Sequence, residues 1–208
     1  MIAANGLSLT GSIFNHNVKY SSLAKMHIET KGNSMLKHHF HQLTPYARVI
    51  SLGLSGKEML RILAKEHQVT IGDVPATLVE KGTDSRGNLV DFYSEPNTAY
   101  NLSVVPALWL TEGKQFPSRA DARAFAMEKK FKQPPREIGL LIRFLPDIKL
   151  VSYGLKQLVV MHEPIRHPDG TQNFLGIGSH HRKPGWLSAF GAEDHLVFAP
   201  HTGLVYLS

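Results

Sequence analysis

The sequence predicts an α+β fold: an antiparallel sheet with two main helices on one side, ferredoxin-like in outline, and a β-rich C-terminal third. Two observations carry that expectation. A serine with an acidic residue three positions on precedes an amphipathic stretch twice, at Ser55 and at Ser118. Short apolar segments of alternating or β-branched character surround both stretches, bounded by Gly, Pro and Asn. There is no internal repeat, heptad or low-complexity tract.

The elements follow in order. Residues 1 to 34 are rich in Asn, Ser, Gly and Lys without an apolar period and read as an irregular arm. One α+β domain is expected over 35 to 208, with a subdivision near 133 to 137 as its natural break, and Met35 can serve as an alternative start. YARVISLGL, 46 to 54, reads as a strand. Ser55-Gly56-Lys57-Glu58 has capping-box spacing and opens a helix over 56 to 67. Leu60, Leu63 and Ala64 form its apolar face, and Lys57, Arg61 and Lys65 recur every fourth residue on another. Residues 76 to 82 and 88 to 94 flank the turn-rich TDSRG and read as a hairpin. A strand over 101 to 113 is broken or edge-placed at Pro106.

Ser118, with Asp121 at the third helical position, caps a helix over 119 to 132 that Pro134 and Pro135 end. Its apolar line is Ala120, Ala124, Met127 and Phe131, and its basic line Arg119, Arg123 and Lys130. IGLLIRFL, QLVVMHEPI, FLGIGS, HLVFA and LVYLS then read as strands, the last two a pair across PHTG.

With 42% hydrophobic and 19% charged residues among 208, the composition is that of a folded domain. The absence of cysteine excludes disulfides, thiol nucleophiles, thiolate zinc sites and iron-sulfur clusters. Met1 to Thr10 has no positive n-region and no adequate apolar run, and the longest apolar runs fall far short of a membrane span, so no membrane association and a cytoplasmic location are expected. The net charge is +6, unevenly spread: residues 1 to 72 carry +5, 73 to 100 carry −3 and 101 to 137 carry +3. A pI near 9.5 favours polyanionic partners.

No G-x-S-x-G, Walker or dinucleotide glycine motif is present, which removes most nucleotide-dependent and hydride-transfer chemistry. Five of the twelve histidines fall in two groups, His38, His39 and His41, and His180 and His181. On a strand His39 and His41 point to one face and can chelate a divalent metal; the alternative is a solvent-facing polar run. No other cofactor is expected. His162, Glu163 and His167 with Asp169 form a trio of the kind that orients a general base, or simply a polar turn.

The segment FLGIGSHHRKPGW, 174 to 186, concentrates the strongest signal. Gly176, Gly178 and Gly185 allow close backbone approach, His180, His181, Arg182 and Lys183 supply donors, and Trp186 offers a stacking face. The alternative is an ordinary β-loop with a solvated basic tip. A strand leading into G-x-G, a basic stretch, then glycine and an aromatic resembles the glycine-rich loop of the RAMP superfamily, the ferredoxin-like RNA-binding proteins of CRISPR systems. The strand at 46 to 54 followed by the helix at 56 to 67 is similar to that fold's opening unit. Leu187 and Ser188 stand where a further glycine often follows the aromatic.

The resemblance implies CRISPR RNA binding, with Gly176, Gly178, Arg182, Lys183 and Gly185 on the RNA backbone. It also implies that any ribonuclease activity would use a histidine, for which His38, His39 or His41 would be the candidates. Lys57, Arg61 and Lys65 together with Arg119, Arg123 and Lys130 would extend the site as a phosphate track if both helices face one way.

Three function classes follow. The first is nucleic-acid binding without required enzymatic activity, RNA before DNA, because Pro75 interrupts the helix-turn-helix spacing of 63 to 78. The second is a histidine-using hydrolase or nuclease. The third is a non-enzymatic assembly subunit with other proteins as partners.

Overall fold

Apolar residues alternate with the faces of a sheet along Leu158, Val159, Val160 and Met161, and again along Leu204, Val205 and Tyr206. Both sets are buried, so both faces of the sheet must be covered. The computed structural model describes residues 47–111, 115–144, 154–180 and 183–208, and shows how.

The strands are β1 Ala47–Ile50, β2 Thr70–Ile71, β3 Ala99–Pro106, β4 Gln157–Val160, β5 Ile165–Arg166, β6 Gln172–His180, β7 Lys183–Gly191 and β8 Thr202–Leu207. They form one sheet in the order β1-β3-β8-β4-β6-β7-β2, with β5 against β6. The helices are α1 Gly56–Lys65, α2 Asp73–Lys81, α3 Arg119–Glu128 and α4 Ile138–Leu141, with 3₁₀ turns at Ala107–Thr111 and Ile142–Phe144.

The α+β class therefore holds, and several finer expectations do not. The sheet is mixed: β4 and β8 run parallel, as do β2 and β7. Its eight-strand order also differs from that of a four-stranded ferredoxin-like sheet. The helices lie on both sides. Met59, Leu60 and Leu63 of α1, Leu78 and Val79 of α2 and all of α4's apolar residues pack with Leu158, Val160, Leu175, Ile177 and Val205. Ala122 and Phe125 of α3 pack with Val159, Met161, Phe174, Leu204 and Tyr206, which point the other way.

Residues 76 to 81 belong to α2, which Gly82 caps, and 88 to 94 contain only an isolated bridge, Leu89 opposite Thr83, so the expected pair of strands does not form there. Pro75 occupies the first turn of α2, where a missing amide costs nothing, and Pro75, Leu78 and Val79 form the buried i, i+3, i+4 face. IGLLIRFL is helical through 144; an apolar run buried on every side has no period to betray it, and Gly139 lets this one press onto Leu175. Residues 195 to 199 make one bridge, Val197 opposite Ser118. β8 already has β3 and β4 on its two edges, which leaves no place for HLVFA as a hairpin partner.

Pro106 closes β3 and a 3₁₀ turn follows. Both capping boxes are present: Ser55 Oγ accepts from the Glu58 amide and Ser118 Oγ from the Asp121 amide, while each carboxylate accepts from the serine amide. α3 is shorter than expected, ending at Glu128, because Lys130 takes a left-handed φ of 57°.

Candidate nucleic-acid interface

The supposed glycine-rich loop is two adjacent strands. Leu175 pairs with Ala189, Gly176 with Ser188, Ile177 with Leu187 and Gly178 with Trp186, and the register shifts between Gly178 and His180, which faces Lys183. His181 and Arg182 lie outside the described residues, as do the side chains of 179, 180, 183 and 184.

The glycines serve the sheet. A Cβ on Gly178 would run into the ring of Trp186, its cross-strand partner, and one on Gly176 would meet Phe190 Cε2 at 2.6 Å. An aromatic ring laid across an opposing glycine is a cross-strand packing device. The room that a side chain would need at Gly176 and Gly178 is thus filled by Phe190 and Trp186. Trp186 is half-buried on that ring-over-glycine contact.

The two basic helix lines have different fates. Lys57, Arg61 and Lys65 are all exposed along α1, as the spacing predicts, although Ala64 is exposed as well and Met59 takes its place in the core. On α3 the line dissolves. Arg119 is buried, its Nε donating to the Gly191 carbonyl at 2.9 Å and its guanidinium lying 3.7 Å over the Phe198 ring. Burial pushes its pKa down to about 10. Arg123 pairs with Asp194, and Lys130 is exposed beyond the helix end. The expected apolar line is likewise displaced, since Ala120, Ala124 and Met127 are exposed and Ala122 and Phe125 are buried. With α1 and α3 on opposite faces of the sheet, the two basic lines form no common track.

The histidines divide by burial. His162 is fully buried: Nε2 accepts from the Leu175 amide at 2.8 Å, so Nδ1 carries the proton, donated to the Glu163 carbonyl at 2.7 Å. Burial holds its pKa down at about 4. With both nitrogens engaged it is a structural group and no general base. His167 Nδ1 stands 3.0 Å from Asp169 Oδ1, and bonds from Thr171, then from His167, hold the Asp169 carboxyl down at about 2. Glu163 pairs with Arg136 at 2.7 Å instead of joining the histidines. His38, His39 and His41 lie outside the described residues, and among the described residues no group of three His, Asp or Glu side chains could hold a metal.

Sequence reasoning missed two features. Ser51 and Ser94 bond through their hydroxyls at the edge of the sheet, and the nearby buried Glu137, through its hydrogen bond and charge, helps desolvation raise the Tyr100 hydroxyl to about 12. No local motif signals that grouping, because its members are 86 positions apart. The second is Arg143, half-buried against Gly185 at the hairpin. Its only sequence signal is a charge inside an apolar run. A shallow cavity of about 220 Å³ beside Ser55 and Phe92 brings Lys57, Glu80 and Asp91 together; it has no histidine in its lining, and the Ser55 hydroxyl is engaged with Glu58 in the helix cap.

No helix among the described residues is long and apolar enough to cross a membrane. No protein-family model, no curated protein and no solved structure matches the chain.

Proposed function

We propose that the protein binds nucleic acid, RNA before DNA, through the end of the β6–β7 hairpin and the basic face of α1. The observation that carries this reading is the register that sets His180 opposite Lys183. His180 ends β6 and Lys183 begins β7, and in sequence only His181 and Arg182 separate them, so the run His180 to Lys183 is the densest group of basic and titratable residues in this part of the chain. Lys57, Arg61 and Lys65 add a row at one-turn spacing on the face that α1 shares with α4. Arg119 has no part in the reading, being buried, and Arg123 and Lys130 lie on the opposite face.

Binding is measured by anisotropy with labelled single-stranded RNA, single-stranded DNA and duplex, CRISPR repeat RNA included because the RAMP resemblance implies it. Arg182→Ala with Lys183→Ala should weaken RNA binding across sequences and lower the salt slope by roughly 1 to 2. A wild-type chain that binds none of these strands overturns the reading.

A hydrolase reading has one observation of its own, the His167 and Asp169 pair, in which the carboxylate orients an imidazole that is not fully buried. It requires that RNA or an ester be cleaved by the wild type and spared by His167→Asn.

A further inference from the structure

Arg143 sits in the 3₁₀ turn after α4, and its guanidinium occupies the space that a side chain on Gly185 would need. A Cβ there would stand 2.6 Å from Nη2 and 2.7 Å from Cζ. Its Nε is buried without a hydrogen-bond partner, and among the described residues no carboxylate forms an ion pair with it. Burial lowers its pKa, and no charge among the described residues contributes to the shift.

This is an unusual place for a cation. A charge partly withdrawn from water without a counter-charge lowers stability, and a guanidinium in that position gains most from an oxyanion that accepts from two of its N–H groups at once. The surroundings match that need. Gly185 is the third residue of β7, two after Lys183, so the guanidinium lies against the first part of that strand. The next residue, Phe144, meets the ring of His67 edge-on at 5.1 Å, which fastens the turn to the end of α1 two residues past Lys65. The start of β7 and the end of α1 therefore both lie beside the turn that carries Arg143.

We propose that Arg143 is a phosphate seat, taking a phosphodiester of a bound RNA strand and, in its absence, inorganic pyrophosphate. The RNA as its source rests on the function proposed above; the oxyanion chemistry does not. In contrast to a scattered surface lysine, this seat has a fixed direction of approach, because the guanidinium is wedged at Gly185 and cannot swing freely.

The test uses the full chain and the variants Arg143→Met and Arg143→Gln. Pyrophosphate at ten times its dissociation constant, at constant ionic strength, should raise the wild-type Tm by about 3–6 °C. In chloride alone Arg143→Met should melt at or above the wild type, since an unpaired charge is exchanged for an apolar chain, and both variants should lose the pyrophosphate shift. With RNA, Arg143→Met should lower the salt slope by about 1. Four results overturn the proposal: no pyrophosphate shift in the wild type, an equal shift in the variants, a Met variant that melts well below the wild type, or an unchanged RNA salt slope. If the wild type binds no RNA yet its pyrophosphate shift vanishes in the variants, the seat stands and the RNA reading falls. If RNA binds the variants as it binds the wild type, the RNA reading stands and the seat falls.

Discussion

Helices α1 and α3 begin in the same way and end up doing opposite things. Each starts at a serine whose hydroxyl and whose partner carboxylate close a capping box, each runs ten residues, and each carries basic residues at i, i+4 spacing. α1 keeps Lys57, Arg61 and Lys65 in solvent, whereas α3 turns its first arginine inward, onto Phe198 and the Gly191 carbonyl, and leaves Met127 76% exposed. The cause lies outside the helices. α1 lies over the Leu, Ile and Val side chains of the sheet through its strong Met59, Leu60 and Leu63 stripe. α3 offers only Ala122 and Phe125, and its orientation is set by what flanks it: Arg119 and Ala120 amides donate to the Leu196 and Asp194 carbonyls, and Tyr206 donates to the Ala122 carbonyl. A weak apolar stripe lets backbone anchors decide which face turns inward.

The largest expected difference between the two sides of the sheet is in acid. His162 lies against Phe174 of the α3-side core, and its folded pKa of about 4 is below its ordinary 6.5. The folded state thus binds a proton more weakly than the unfolded chain does. The stability of the neutral form is fully present above pH 6.5 and is lost as pH falls from 6.5 towards 4, a loss of about 3 kcal/mol. Denaturant unfolding at pH 7 and pH 4 measures it, and His162→Gln should flatten the dependence. Hydrogen exchange should show the Leu175 amide losing protection before those of α1.

Next in size is the arginine contrast. Arg119→Ala should cost about 2 kcal/mol, because it strands the Gly191 carbonyl and uncovers Phe198, while Arg61→Ala should change stability by less than about 0.5 kcal/mol. Equal losses in urea unfolding would show that the two helix faces are energetically alike and that the burial of Arg119 contributes nothing.

The caps should behave alike where the faces do not. Ser55→Ala and Ser118→Ala should each cost about 1 kcal/mol. A much larger loss at Ser118 would mean that the bridge from Ser118 to Val197, more than the cap, holds α3 in place. The smallest effect should come from Met127→Lys, within about 0.5 kcal/mol, since the side chain touches little. A large loss there would place Met127 in an interface.

What could be read from the residues alone was whatever depends on near neighbours. The starts of α1 and α3, the class of fold, the end of β3 at Pro106 and the outward row on α1 rest on contacts within four positions, where sequence distance and spatial distance agree. The tertiary structure decided everything that depends on which surfaces meet. It placed the helices on both faces of a mixed sheet, made helices of 76 to 81 and 138 to 144, and withdrew Arg119 from the expected track. It filled the space at Gly176 and Gly178 with Phe190 and Trp186, and brought Arg143 to Gly185 from 42 positions away. Those outcomes are set by burial of apolar area between distant segments, which is non-directional and leaves no local signature in the chain.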